Sequence, residues 1–328
     1  MFIRKLPTIC AGLALISAFA APAARAMQGT DWPAKPVTIL APFAAGGTVD
    51  LVARVLAVKL QRELGQPFVV DNRGGAGGTI ATAMLARAAP DGYTLMVHHM
   101  GLVFSDSLYS HLPYNTKRDI MPVAYVGATP NVLVVTKSLP VRTMSDFLTL
   151  AKSKPGAINY GSGGVGSAGH LPMAVLGMMT GTTLQHVPYK GSGPALTELV
   201  SGQIQSMLLT IPAVMPFINS GMVRPIATSG NKRSPALPNL PTLEEAGIKG
   251  FEYAPWYGFF APAGTPPEVV RKLYDAVEKA LQDNEVVARL AHEGIEVEAM
   301  SRERFVGIVD ADMARWSKTI AQLGIKQP

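Results

Sequence analysis

Short apolar runs alternate with stretches of helical periodicity from about residue 32 to the end of the chain. The run VTILAPF predicts a strand, and residues Thr48 to Leu64 predict a helix that ends at Gly65, because its apolar side chains recur every three or four positions. The strand FVVDN, a helix from Thr79 to Ala88 and the strand GYTLMVHH follow. This order of strand, glycine turn, helix and strand is typical of a parallel α/β sheet.

The middle of the chain repeats this order. Further strands are predicted at NVLVVT, AINYGS, LQHVPYKG, SMLLT and VRPIATSG, and we interpret the last as the crossover that returns to the first sheet. The C-terminal part is predicted to be helical, with Ser301 at the start of the last helix. The sequence therefore predicts two α/β units followed by helices.

The first 26 residues have the pattern of a secretory signal peptide. Arg4 and Lys5 precede a short apolar stretch, and Ala24-Arg25-Ala26 forms an A-x-A cleavage signal. A membrane anchor is the alternative, but the apolar stretch is shorter than the roughly 20 residues that a transmembrane helix needs. We therefore expect export and cleavage after Ala26.

Composition narrows the possible chemistry further. The one cysteine, Cys10, lies in the predicted signal peptide, so the mature protein can form no disulfide, thiolate metal site or cysteine nucleophile. The chain has 29 Lys and Arg against 23 Asp and Glu, and removal of Arg4, Lys5 and Arg25 leaves a net charge of +3. This mild positive charge, without a basic run, argues against nucleic acid as a partner and suits small anions.

Three glycine-rich turns each lie between a predicted strand and a predicted helix: Gly46-Gly47, RGGAGG at 73–78 and GSGGVGSAGH at 161–170. Glycine leaves backbone N–H groups accessible, and a helix N-terminus adds unpaired donors at its positive end. Open α/β sheets bind ligands beyond the carboxyl ends of their strands. Any one turn could be a simple connection, but the three together predict a binding cleft that favours carboxylate oxygens.

The third turn also contains G-x-G-x-x-G at Gly161, Gly163 and Gly166, which is the pattern of a dinucleotide site. Such a site needs an acidic residue about 20 positions later. No Asp or Glu occurs between Asp146 and Glu198, so the sequence argues against a nicotinamide enzyme.

A serine hydrolase is the main enzymatic alternative, because Ser162, Ser167 and His170 lie close together in the sequence. No G-x-S-x-G is present, and no acidic residue lies nearby in the sequence to orient the histidine. We expect Ser167 to cap the following helix instead. A zinc site is disfavoured, since His98 and His99 are adjacent on a strand and should point to opposite faces.

Seven segments together identify a family resemblance that runs from about Trp32 to the C-terminus. They resemble, in order, segments of the Bug (TctC-like) extracytoplasmic solute receptors of tripartite tricarboxylate transporters. The segments are WPAKPVTILAPFAAGGTVDLVAR, VVDNRGGAGGTIA, APDGYTL, INYGSGGVGSAGHL, HVPYKGSGPALTELVSGQI, NLPTLEEAGI and FFAPAGTPPEVV.

The resemblance implies an α/β fold of the two-lobed periplasmic binding protein type (type II, Venus flytrap), with a hinge of two crossing strands. Residues 1–26 would be the signal peptide, 27–128 and 231–328 the first lobe, and 129–230 the second lobe. The implied function is capture of a small carboxylate between the lobes for membrane subunits of a tripartite tricarboxylate-type transporter. A sensory receptor that signals to a membrane kinase, and a secreted hydrolase using a serine and His170, stay as alternatives.

The family pattern also implies the residues of the ligand site. In one lobe they come from the PFAAGG turn, where Asp50 is expected to fix the turn from behind. In the other lobe they come from the third glycine turn and the PYKG turn at 188–191. The predicted ligand-binding residues are Phe43, Ala44, Ala45, Gly46, Gly47, Thr48, Asp50, Gly78, Thr79, His98, Ser162, Gly163, Gly166, Ser167, His170, Tyr189 and Leu209.

Two departures from the family pattern bear on the ligand. His98, His99 and Met100 stand where many relatives have small polar residues, and Leu209 stands where many have an aspartate. An ammonium group in a cleft needs a carboxylate partner. We therefore expect a mono- or dicarboxylate, aromatic or aliphatic, without an amino group. We expect a monomer that uses no cofactor and no metal, is not an enzyme, and binds no nucleic acid.

Overall fold

The computed structural model describes residues 1–2, 31–189, 191–292 and 294–326. Met1–Asp31 form one unit and Trp32–Pro328 another. Apart from Met1 and Phe2, the predicted signal peptide lies outside the described residues, as does Lys190 of the PYKG turn. No helix in the described ranges combines the length and apolar character needed to cross a membrane.

The described residues contain eleven strands, which form two sheets. In chain order they are β1 (Val37–Ala41), β2 (Phe68–Asn72), β3 (Thr94–His99), β4 (Ile120–Ala128), β5 (Asn131–Thr136), β6 (Asn159–Ser162), β7 (Gln185–Pro188), β8 (Ser206–Thr210), β9 (Val223–Thr228), β10 (Trp256–Pro262) and β11 (Glu296–Val297).

The first sheet has the order β11-β4-β10-β3-β1-β2, and the second has the order β7-β6-β8-β5-β9. In the first sheet β1 runs parallel to β2 and β3, and β10 runs antiparallel to β3 and β4. In the second sheet β6 runs parallel to β7 and β8, and β5 runs antiparallel to β8 and β9. The fold is thus α/β with two mixed sheets, each the centre of one lobe.

The α-helices are α1 (Thr48–Leu64), α2 (Thr79–Arg87), α3 (Ser105–Leu108), α4 (Thr116–Asp119), α5 (Met144–Ser153), α6 (His170–Thr180), α7 (Ser192–Ser201), α8 (Ile211–Asn219), α9 (Pro267–Leu281), α10 (Asn284–His292) and α11 (Arg302–Leu323). Short 3₁₀ turns at Ala76–Gly78 and Met100–Phe104 lie beside β2 and β3 in the chain. Helix α1 has the predicted bounds, because Gly65 adopts the left-handed conformation (φ 74°) and its N–H bonds Gln61 O.

The chain crosses between the sheets beside β4 and β10, two strands that the apolar pattern did not reveal. β4 belongs to the first sheet and β5, only two residues later, to the second. The return was predicted at VRPIATSG, but that segment forms β9 inside the second sheet, and Leu243 N–H still bonds Thr228 O. The chain re-enters the first sheet at β10, so the crossover lies later than the sequence indicated.

The crossings contact each other through backbone hydrogen bonds. Thr129 N–H donates to Pro255 O at 3.1 Å, and Ser229 N–H donates to Asn131 O at 2.8 Å. Tyr253 N–H donates to Ser229 O at 2.8 Å. These three short segments are the hinge between the lobes.

Three apolar clusters make the core. One lies between the first sheet and α1 and α9, and includes Leu56 and Val277. A second lies in the second lobe under α7 and α8, and includes Leu209. The third extends through both lobes, from Phe104 to Phe147, and takes in Trp316 of α11. Helix α11 follows the last strand of the first sheet in the chain, but its Trp316 belongs to the cluster that extends through both lobes, so the helix packs beside the hinge region.

Candidate functional site

The first glycine turn, between β1 and α1, is fixed by a buried carboxylate. Asp50 is 4% exposed, and it accepts hydrogen bonds from Gly46 N–H (2.9 Å), Asn72 Nδ2 (3.0 Å) and Arg54 Nε (2.9 Å). Asn72 also donates to Phe43 O at 3.1 Å. Burial raises the pKa of Asp50, but the Arg54 bond and the other donors outweigh it and hold the pKa below its usual value. Asp50 thus holds the turn from behind.

The two glycines of this turn have different roles. Gly46 has φ +83°, where an L side chain is strained, whereas Gly47 has φ −84° and ψ 168°, which any residue adopts. A Cβ on Gly47 would lie 3.5 Å from Ala44 O, which is an ordinary contact. The backbone conformation therefore requires glycine at position 46. At position 47 it does not, and a side chain there would be restricted only by the space that a ligand needs.

The start of α1 offers unpaired donors. The first intrahelical bond is from Leu51 N–H to Gly47 O, so the N–H groups of Thr48, Val49 and Asp50 precede the helix ladder. Ala44, Ala45, Gly46 and Gly47 are exposed beside them. The Thr48 hydroxyl lies beside the Tyr257 phenol. Burial raises the pKa of Tyr257, and the contact with Thr48 offsets only part of this rise. This end of α1 suits an anion.

The second glycine turn lies against the first and over a histidine. A Cβ on Gly74 would lie 3.4 Å from Ala44 N, and a Cβ on Gly78 would lie 2.7 Å from His98 Nε2. Gly78, at φ +101°, therefore has no room for a side chain. Thr79 is buried, and its hydroxyl donates to Ala76 O at 2.9 Å, so it holds the turn.

His98 and His99 do not point to opposite faces as predicted. Their ring centroids are 5.0 Å apart, and the Phe43 ring packs on both, at 5.6 Å from His98 and 4.8 Å from His99. The reason is local: His99 ends β3, and its Nδ1 accepts the Gly101 N–H at 2.7 Å as the chain turns into the 3₁₀ segment. Both rings therefore lie together under the first turn.

Hydrogen bonding fixes the tautomers of these two histidines. His98 Nδ1 lies 2.8 Å from His99 O, which can only accept, so Nδ1 carries the proton and Nε2 is an acceptor. His99 Nδ1 accepts from Gly101, so its proton is on Nε2. Burial lowers the pKa of His98 to about 4, and the hydrogen bond to the His99 carbonyl opposes this shift only in part. The pKa of His99 is lowered well below its usual value, mainly by burial and to a smaller extent by the neighbouring His98.

The third turn, after β6, is held by a histidine that the sequence analysis did not select. Ser162 is fully buried, and its Oγ lies 3.1 Å from Gly164 N, 3.0 Å from Gly164 O and 2.7 Å from His186 Nε2. One hydroxyl satisfies all three contacts if it donates to Gly164 O and accepts from Gly164 N–H and from His186 Nε2–H. In that arrangement His186 is a donor and not a general base, so the Ser162–His186 pair is not an activated nucleophile.

Ser167 does not cap a helix as predicted. Helix α6 begins three residues later at His170 with Gly169 as its N-cap, and the buried Ser167 Oγ has no hydrogen-bond partner among the described residues. The backbone explains this, because Ser167 N–H bonds Gly164 O and His170 N–H bonds Ser167 O, which forms a turn ahead of the helix. The unpaired hydroxyl stays available in the third turn.

The second and third turns meet across the lobes. A Cβ on Gly77 would lie 3.2 Å from Val165 O and 3.1 Å from the Tyr109 hydroxyl. A Cβ on Gly166, at φ +78°, would lie 2.9 Å from Leu108 Cδ1. The two lobes thus touch directly at glycine positions, beside the predicted ligand residues.

The remaining predicted residues lie on the second lobe. Gly163 is half-buried and close to Ser192, and the half-buried Tyr189 packs against the cluster that contains Leu209. Leu209 is 5% exposed and pairs with Val132 of β5, so its side chain belongs to the core. The structure therefore gives no support to Leu209 as a cleft-facing substitute for an acid.

Several contributors to this site were not predicted from sequence: Asn72, Leu108, Tyr109, His186 and Tyr257. His186 and Asn72 had a sequence signal, since they lie in the HVPYKG and VVDNRGGAGGTIA segments. Leu108, Tyr109 and Tyr257 lie in runs without a motif. Among the described residues, no group of three or more His, Cys, Asp or Glu is arranged to hold a metal ion.

The buried histidines predict an acid-sensitive fold. An unfolded His98 titrates near 6.5 and the folded one near 4, so between these values the unfolded chain binds a proton that the native chain does not, and stability falls as pH drops. We expect the free energy of unfolding to be about 2 kcal/mol lower at pH 5 than at pH 7.5 for His98 alone. Urea unfolding at both pH values measures this, and His98→Asn should reduce the difference. A stability that does not change between pH 7.5 and 5 would contradict the buried, neutral state.

Comparison with known proteins gives a consistent result. The family model described as "Tripartite tricarboxylate transporter family receptor" matches residues 52–325. The structure of R. palustris Rpa4515 with adipate is 38% identical, with a TM-score of 0.85 over 90% of this chain and 100% of that one.

Two further structures are similar. The periplasmic binding protein BugD is 35% identical, with a TM-score of 0.83 over 90% of this chain and 100% of that chain. MatC from Rhodopseudomonas palustris with bound malate is 34% identical, with a TM-score of 0.81 over 88% of this chain and 100% of that one. The two-lobed periplasmic binding protein fold is therefore shared with these proteins.

Proposed function

This chain belongs to the tripartite tricarboxylate transporter family of receptors, the Bug or TctC type, and from that premise we propose that it captures a small carboxylate between its lobes. The observation that carries the proposal is the turn before α1, where Asp50 holds Gly46 so that unpaired helix N–H groups lie beside an exposed backbone. The relatives with bound adipate and malate support the same chemistry. Here the captured anion would be delivered to the membrane subunits of a transporter.

We propose that the ligand is a mono- or dicarboxylate without an amino group. An ammonium ion buried without a partner is costly. Asp50 is the carboxylate of the first turn, and its oxygens already accept from Gly46, Asn72 and Arg54. His98 and His99 beneath this turn are neutral near pH 7, because burial lowers the pKa of both. Discrimination against ligands with an amino group therefore depends on the Asp50 carboxylate, whose oxygens already accept hydrogen bonds within the protein. It does not depend on Leu209, from which the sequence analysis argued.

Calorimetry with matched pairs tests this ligand class. Succinate should bind more tightly than aspartate, and glutarate more tightly than glutamate, by about tenfold or more, since each amino acid adds an unpaired charge. The pairs differ only in the amino group, so they control for chain length. Tighter binding of the amino acid in both pairs would contradict the proposed class.

We also expect the lobes to close around the ligand. The contacts of Gly77 with Val165 and of Gly166 with Leu108 join lobes that are linked by a narrow hinge, and such lobes rotate on ligand binding. Small-angle scattering should give a smaller radius of gyration with saturating ligand than without it. A non-binding compound at equal concentration is the control, and an unchanged radius at saturation would indicate a rigid pocket.

We infer a receptor and not a hydrolase, because Ser162 Oγ contacts the Gly164 N–H, the Gly164 carbonyl and His186 Nε2, and one hydroxyl satisfies all three only when the histidine donates. We further propose that the chain is exported, cleaved after Ala26 and monomeric. The division into lobes predicted at residues 27–128 with 231–328 and at 129–230 also stays a proposal, with the return to the first sheet placed at β10. Its second lobe contains the strands β5 to β9.

A further inference from the structure

Two histidine rings lie against each other in the second lobe, directly behind the third glycine turn. His170 and His186 have ring centroids 4.0 Å apart with their planes tilted by 31°, and Tyr160 stacks on His186 at 4.9 Å. His170 is buried and His186 half-buried. The pKa of His170 is lowered to about 3, mainly by burial and to a smaller extent by the neighbouring His186. Burial also lowers the pKa of His186 to about 4, so both rings are neutral near pH 7.

Each ring reaches a different residue of the turn. His186 Nε2 lies 2.7 Å from Ser162 Oγ, and that oxygen contacts both the N–H and the carbonyl of Gly164. His170 Nδ1 accepts the Gly166 N–H at 3.3 Å. The turn is therefore held at residues 164 and 166 by one donor ring and one acceptor ring.

The turn needs such support because its backbone is unusual. Gly164 has φ +115° and Gly166 has φ +78°, and both lie outside a helix or strand. Glycine in these conformations has the largest backbone entropy to lose on ordering. Fixing 164 and 166 also fixes the peptide groups between them, including Val165, which faces Gly77 of the other lobe.

We propose that His170 and His186 are positioning residues that hold the turn at 162–166 in the geometry that accepts a ligand carboxylate. This rests on the proposed function, in which that turn is one wall of the ligand site. The rings need not touch the ligand; His186 acts through Ser162 and Gly164, and His170 acts through Gly166. Both act as neutral Nε2–H tautomers, which leave Nδ1 of His170 as an acceptor.

Paired substitutions separate hydrogen bonding from packing. His170→Asn retains an acceptor near the position of Nδ1, and His170→Leu removes it. His186→Gln retains a hydrogen-bond donor, whereas His186→Phe keeps an aromatic ring and removes the donor. His111→Leu, at an exposed histidine outside the turn, is the control.

Two measurements decide the proposal. Adipate and malate affinity by calorimetry should fall about tenfold in the Leu and Phe variants, because a buried hydrogen bond is lost, and the Asn and Gln variants should recover most of it. Amide exchange of Gly164 and Gly166 in the ligand-free protein should accelerate about tenfold in the same two variants. His111→Leu should match the parent in both.

Parent-like exchange and affinity in His170→Leu and His186→Phe would overturn the proposal. So would nitrogen NMR spectra at pH 7 in which His186 is the Nδ1–H tautomer. If the parent protein binds neither adipate nor malate, the choice of ligand fails, but the exchange rates and the nitrogen spectra still decide whether the two histidines hold the turn.

Discussion

Replacing Asp50 by alanine should abolish measurable ligand binding and lower the free energy of unfolding by about 2–3 kcal/mol, because two donors of the turn lose their charged acceptor. Gly46 N–H and Asn72 Nδ2 both donate to Asp50, and Asn72 also holds Phe43 O, so the turn loses its support at two points. Calorimetry with adipate and urea unfolding measure the two effects. The share of Arg54 should be small, since its side chain is 54% exposed.

Two variants control for the Asp50 result. Asp71→Ala removes a carboxylate of β2 that pairs with the exposed Arg73, and it should cost less than about 1 kcal/mol of stability. Asp50→Asn keeps an acceptor for Gly46 and should retain part of the affinity. Wild-type affinity in Asp50→Ala would remove the turn before α1 from the site.

Gly166→Ala should weaken ligand binding about thirtyfold, which corresponds to about 2 kcal/mol. Its Cβ would lie 2.9 Å from Cδ1 of Leu108, which is buried at 1% exposure and would have to shift. Positive φ adds strain of about 1–2 kcal/mol for an L residue. The overlap with Leu108 and the backbone strain both destabilise the contact between the lobes that closes the site, and ligand binding is weakened as a result.

Gly181→Ala is the matched control for Gly166→Ala. Gly181 has φ +62° at the end of α6 and nothing within 4 Å of its Cβ position, so it has the backbone strain without the interlobe contact. It should destabilise the protein to a similar degree and leave adipate affinity unchanged. Leu108→Ala combined with Gly166→Ala should recover part of the affinity. Equal affinity losses at 166 and 181 would show that strain alone, and not lobe contact, is responsible.

Elements with strong local signals were predicted correctly. Helix α1 has the predicted bounds because its apolar period and its stop at Gly65 are local properties of the chain. Ser301 was also correctly placed as the N-cap of α11, where its side chain accepts the Arg304 N–H. β4 and β10 were missed, because their burial on both faces comes from neighbours distant in sequence and leaves no alternating pattern.

The glycine turns show where local reasoning fails. Ser167 has the residue type and spacing of a helix cap, yet the turn from Gly164 to His170 delays the helix and leaves the hydroxyl unpaired. Leu209 differs from the family pattern, yet its side chain is in the core. In both positions the residue type was informative, but the direction of the side chain depended on packing.

The sequence by itself determined the α/β order of elements, the three glycine turns and the family of the protein, because these depend on residues adjacent in the chain. Only the tertiary structure decided which side chains meet. His186 reaches Ser162 across 24 positions, and Leu108 meets Gly166 from the other lobe. The physical reason is that period, capping and turn formation are short-range, whereas the partner of a buried polar group is set by how sheets and lobes pack.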